Sequence, residues 1–70
     1  MHRRPEARRR LVDALLTLED PYRSTLLLRY YEDLSEQQTG EVLGISAAAV
    51  RSLVLRAMTT LRDRVRRDES

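Results

Sequence analysis

The sequence predicts an all-α chain: a four-helix domain with a C-terminal helix-turn-helix. Three observations carry the prediction. Leu11, Ala14, Leu15 and Leu18 follow the i, i+3, i+4, i+7 spacing of one buried helical face, as do Val50, Val54, Ala57 and Leu61 near the other end. The only two glycines, Gly40 and Gly44, lie between two serines, Ser35 and Ser46, that are placed to cap helices. Gly40, Gly44 and Val50 stand as a small residue, a glycine four on and a β-branched residue six beyond. That order lets one helix cross close to the next, turn tightly and lock against it.

Seventy residues allow one domain with a modest core. Such a core seldom supplies more than about 3–5 kcal/mol without a staple. No cysteine is present, which removes disulfides, thiolate zinc sites and cysteine nucleophiles. No apolar run approaches the roughly 20 residues of a membrane span, and none follows the basic start as in a signal peptide, so a cytoplasmic setting is expected.

The net charge of +2 hides an asymmetry. Residues 1–10 hold five Arg against Glu6, and residues 51–70 hold six Arg against three acids. Residues 11–50 hold only Arg23 and Arg29 against seven acids. Basic ends suit a nucleic-acid partner, while the acidic middle argues against indiscriminate coating of polyanions. All thirteen basic side chains are Arg, which suits bidentate phosphate or guanine contacts, although GC-rich codon usage produces the same bias.

Residues 1–10 are expected as a basic, flexible N-terminal segment and residues 11–70 as the domain. Arg8, Arg9 and Arg10 read as a solvated helix start, with a phosphate-contacting arm as the sharper alternative. The first helix buries Leu11, Ala14, Leu15 and Leu18. Asp20-Pro21 marks the next boundary, with Asp as cap and Pro at the first helical position, and the second helix should run from Pro21 to about Glu32. Its Leu26, Leu27, Leu28, Tyr30 and Tyr31 make it apolar on more than one face. With Tyr22, these tyrosines read as core and rim residues rather than a base-stacking platform. Asp33-Leu34 is a short link.

Ser35 then caps a short third helix, with Gln38 completing a capping box. Val42 and Leu43 supply apolar contacts, Gly44 turns left-handed, Ile45 packs back and Ser46 caps the last helix, which runs to about Arg67. Such a helix enters the major groove N-terminus first. Removing its buried stripe leaves Ala47, Ala48, Ala49, Arg51, Ser52, Leu55 and Arg56 to face DNA, and Leu53 is expected to pack beside the motif. The Ser46 hydroxyl and the amides near Ala48 and Ala49 suit a phosphate. Arg51 and Arg56 suit guanine or phosphate, with surface salt bridges as the plainer reading. Ser52 suits base or backbone, and Leu55 a thymine methyl. Three successive alanines read little directly, so backbone fit and DNA shape should carry part of the specificity.

Nothing in the chain makes a convincing catalytic site, cofactor cradle or metal site. The only histidine is His2, near the terminus, and Asp13, Glu19 and Asp20 lack the partner groups that hydrolysis requires. The chain is not expected to be an enzyme.

Taken together, ALLTLEDPYRSTLLLRYYEDLS, EVLGIS and AAAVRSLVLRAMTTLRDRV resemble region 4, the C-terminal DNA-binding domain, of bacterial sigma-70-type factors, with the extracytoplasmic-function class closest. The resemblance implies a monomer that recognises the promoter −35 element on double-stranded DNA while docked on the β-flap of the RNA polymerase core. An anti-sigma factor is a further implied partner, and the chain would be one domain of a longer factor or a free-standing relative. By position, Arg51, Ser52, Leu55 and Arg56 would read bases and backbone, with Ala49 near a phosphate. Ala49 stands where the family usually has Thr, Leu53 where a basic residue is common, and Thr39-Gly40 where Ile-Ala is usual. Thr39-Gly40 is therefore expected to thin the core and weaken the third helix. Two alternatives remain: the effector domain of a LuxR-type regulator, and an interaction module that binds polymerase or an anti-sigma factor without reading DNA.

Overall fold

A computed structural model describes residues 5–69, with side chains from residue 6 to residue 67. Its elements are α1 (Pro5–Thr17), α2 (Tyr22–Leu26) with a π-helical continuation (Leu27–Tyr31), α3 (Glu36–Leu43) and α4 (Ala47–Glu69). The all-α class holds, with no strand among the described residues. No single helix among them is long and apolar enough to cross a membrane.

Helix α1 begins at Pro5, so Arg8, Arg9 and Arg10 are helical where a flexible lead as far as residue 10 was expected. Proline is pre-set for a first helical position, Glu6 complements the positive helix end, and arginine is a good helix former. The expectations for Met1 to Arg4, His2 included, lie outside the described residues. Of the predicted apolar face, Ala14 and Leu18 are buried and Leu15 is half-buried, but Leu11 is 46% exposed. It lines an open apolar groove of about 410 Å³ with Leu15, Leu26, Tyr30, Met58 and Leu61, among others.

Asp20 caps α2 as expected, but from one position further out. Its Oδ1 accepts from the Ser24 hydroxyl at 2.6 Å and the Ser24 amide at 3.2 Å. These donors, with Arg23 adding a hydrogen bond and a charge, hold the Asp20 carboxyl below its usual range. Pro21 precedes the first helical residue instead of occupying it. The helix also does not continue to Glu32 in α form. The Glu32 amide reaches back five residues to the Leu27 carbonyl at 2.9 Å, and the Leu34 amide reaches the Leu28 carbonyl at 3.0 Å. Arg29 donates to the Leu34 carbonyl and lies 5.5 Å from the centre of the Tyr30 ring, which ties down the exit of the widened turn. Tyr22 packs on the core as expected, but Tyr30 and Tyr31 turn outward, Tyr31 being 81% exposed.

The core is Ala14, Leu18, Leu26, Ala57 and Leu61, with Leu15, Tyr22, Val54 and Val65 packed on it. Helix α4 touches α1, α2 and α3, so one face of the last helix organises the other three. Its far half is fastened to α1 by Arg64, which donates to the Thr17 hydroxyl at 2.8 Å and to the Thr17 carbonyl.

Candidate nucleic-acid interface

The helix-turn-helix is built from caps and backbone geometry. The Ser35 hydroxyl accepts from the Gln38 amide at 3.0 Å, and the Gln38 side chain accepts from the Ser35 amide at 2.9 Å, which closes the predicted capping box. At the other end of α3, the Gly40 carbonyl accepts from both the Gly44 amide (2.7 Å) and the Ile45 amide (2.9 Å). Gly44 has φ 75° and ψ 32°, the left-handed conformation that glycine adopts without Cβ strain.

Gly40 has a purpose that its helix propensity hides. A Cβ there would stand 2.4 Å from the Ile45 carbonyl oxygen, so only glycine lets the turn pass this close to α3. The expected loss of core at Thr39-Gly40 takes a different form. Thr39 is fully buried, and its hydroxyl has no hydrogen-bond partner among the described residues. Leu43 is half-buried, whereas Val42 is 62% exposed and gives little to the core.

Ser46 caps α4, its hydroxyl accepting from the Ala49 amide at 3.0 Å. That bond changes the predicted phosphate cradle. The Ala49 amide is taken by Ser46, so the open amides of the first turn are those of Ala47 and Ala48. Behind them Val50 is fully buried, on the helix that packs closely against α3. Ser46, Ala48, Arg51, Ser52, Leu55 and Arg56 are exposed together along the N-terminal half of α4, while Ala49 and Leu53 are half-buried. Leu55 is 66% exposed, a large apolar side chain offered to solvent.

The two arginines differ. Arg51 pairs with Glu36 at the start of α3, its Nη2 lying 2.8 Å from Oε1 and its Nε 3.2 Å from each carboxylate oxygen. Arg56 has no ion-pair partner among the described residues. Hydrogen bonding from Arg51, with its charge adding, holds the Glu36 carboxyl below its usual range, and Glu36 raises the Arg51 guanidinium in return. Glu36 is the residue that sequence reasoning missed. It stands 15 positions from Arg51, beyond any helical spacing, and only the crossing of α3 and α4 joins them. Among the described residues no three metal-ligating side chains come together.

A tightly turned pair of helices, the second offering a capped N-terminus and a row of exposed Arg, Ser and Leu, defines the class of helix-turn-helix DNA-binding domains. The family description "Sigma-70, region 4" matches residues 8–61. The chain is 40% identical over 53 residues to RNA polymerase sigma-E factors of Streptomyces antibioticus and Streptomyces coelicolor, the match covering 76% of this chain and 29% and 30% of theirs. The sigma-E factor of Streptomyces avermitilis matches to the same extent. No solved structure gives a significant match. The chain belongs to the sigma-70 region 4 family, and the LuxR-type alternative is not favoured. It spans about three-tenths of the length of the curated relatives it matches.

Proposed function

We propose that this domain recognises the promoter −35 element by laying the N-terminal half of α4 in the major groove, in the cytoplasm and as a monomer, without catalysing a reaction. The observation that carries the reading is the exposure, on one capped helix, of Ser46, Ala48, Arg51, Ser52, Leu55 and Arg56. In this reading the Ala47 and Ala48 amides and the Ser46 end of α4 meet a phosphate, with Ala49 alongside. Arg51 and Ser52 reach base edges, Leu55 covers a thymine methyl, and Arg56 meets a base or a phosphate. Titration into −35-like duplexes at two salt concentrations tests it. Arg51→Ala and Arg56→Ala should each weaken binding on the order of tenfold. Unchanged affinity and base preference in both variants would overturn the assigned face.

The exposed apolar groove beside Leu11, Tyr30 and Met58 favours a protein partner as well. We read it as the face that docks on the polymerase β-flap, or on an anti-sigma factor that competes for the same surface. Pulldown with core polymerase beside a DNA mobility assay separates the readings. Polymerase capture without any DNA shift would favour the interaction module that does not read DNA.

A further inference from the structure

Arg51 is not a loose cation on the reading face. A guanidinium carries five N–H donors in a planar fork. Its pair with Glu36 is side-on, taking the Nε hydrogen and one hydrogen of Nη2. The second Nη2 hydrogen and the Nη1 hydrogen facing it remain, and these two form the end-on edge that spans O6 and N7 of guanine. Glu36 is itself well anchored. It is the first residue of α3, inside the capping box that Ser35 and Gln38 close, and its side chain is only 30% exposed while that of Arg51 is 66% exposed. A carboxylate in the first turn of a helix is also favoured by the helix dipole.

On the reading that Arg51 meets base edges, we propose that Glu36 is a positioning residue that turns Arg51 into a guanine-selective reader. Orientation is one part of the effect: the plane of the fork is set before DNA arrives, so less freedom is lost on contact. Charge is the other. The pair is neutral as a unit, so Arg51 adds little to the sequence-independent attraction that phosphates exert on a free arginine. Arg56, on the same helix and without such a partner, is the free cation of the two.

The experiment uses the full chain. Selection from a duplex library with a randomised central block gives the base-preference map. Titrations follow on the preferred duplex, on the duplex changed at the guanine that Arg51→Ala shows to be read, and on a scrambled duplex. Glu36→Gln keeps the side-chain length and should reduce guanine preference at that one position about tenfold. It should also tighten binding to the scrambled duplex and steepen the salt slope by about one phosphate contact. In an Arg51→Ala background, Glu36→Gln should move the preference no further. Glu36→Asp keeps the charge and withdraws the carboxylate, so it should retain the shallow salt slope and lose most of the preference. Circular dichroism confirms that each variant is folded. A Glu36→Gln effect equal on all duplexes, or full retention of preference by Glu36→Asp, would overturn the positioning role. If Arg51→Ala leaves the preference map intact, the reading of Arg51 fails, and the positioning role with it.

Discussion

The turn joining α3 to α4 and the layer made by α1 and α2 are held by different forces. At the turn, a capping box, a left-handed glycine, a carbonyl shared by two amides and a serine cap fix the backbone, over the single buried apolar side chain of Val50. In the layer, side-chain burial does the holding: Ala14, Leu18 and Leu26 pack on Ala57 and Leu61, and the surrounding surface stays open and apolar at Leu11, Tyr30 and Met58. The difference matches what each part would present under the proposed function. A surface that meets DNA needs a backbone held at one angle, whereas a surface that meets another protein needs apolar side chains left over.

Breaking the layer should cost the most. Leu18 is 1% exposed, and Leu18→Ala should destabilise by about 2–5 kcal/mol, comparable to the whole stability expected of so small a core. Urea unfolding followed by circular dichroism measures it. Breaking the turn should cost less stability and more function. Gly40→Ala drives a methyl into the Ile45 carbonyl and should lose about 1–3 kcal/mol. Its DNA affinity should fall further than the unfolded fraction explains, because the angle between α3 and α4 has to open. If affinity tracks stability alone, the turn is no more than another packing contact.

Smaller effects sharpen the comparison. Thr39→Val removes a buried hydroxyl that has no partner among the described residues and should stabilise by about 1 kcal/mol, read as a raised urea midpoint. Acidification should have the least effect. Asp20 and Glu36 both have carboxyls held below their usual range, so their stabilisation is complete above roughly pH 5 and is lost as pH falls through the unfolded and then the lower folded values. Comparing unfolding midpoints at pH 6 and pH 3 should show a loss that Asp20→Asn together with Glu36→Gln reduces. An unchanged pH dependence in that double variant would count against both interactions as the source.

What was legible in the sequence follows the same division. Ser35, Gln38, Gly44 and Ser46 could be read because caps and turns are decided within a few residues. The stripe at Val50, Ala57 and Leu61 could be read because burial on one helix face has a fixed period. Leu11 fits that period as well as Leu18 does, yet it stays 46% exposed at the edge of the groove it shares with Met58 and Leu61. The π-helical continuation escaped because Leu27 to Tyr31 are sound α-helix formers, and the widening depends on where the Leu34 amide and the Arg29 side chain find their partners. Gly40 looked like a weakness for a similar reason, since the neighbour that forbids a side chain lies across the turn. The Glu36–Arg51 pair needs the crossing of two helices before it exists at all.

Helix α4 is 23 residues long, about 34 Å at the rise of an α-helix, against a longest molecular dimension of 36 Å. It is therefore a single beam running nearly from end to end. Its N-terminal half carries Arg51 and Arg56, and its later turns are fastened to α1 through Arg64 and Thr17. A beam has leverage. If the layer tilts by about 5° as it settles on another surface, the far tip of a rod this long swings by about 3 Å. That is roughly the rise of one base pair, so under the proposed function the seating of the layer would set the register at which the tip reads DNA.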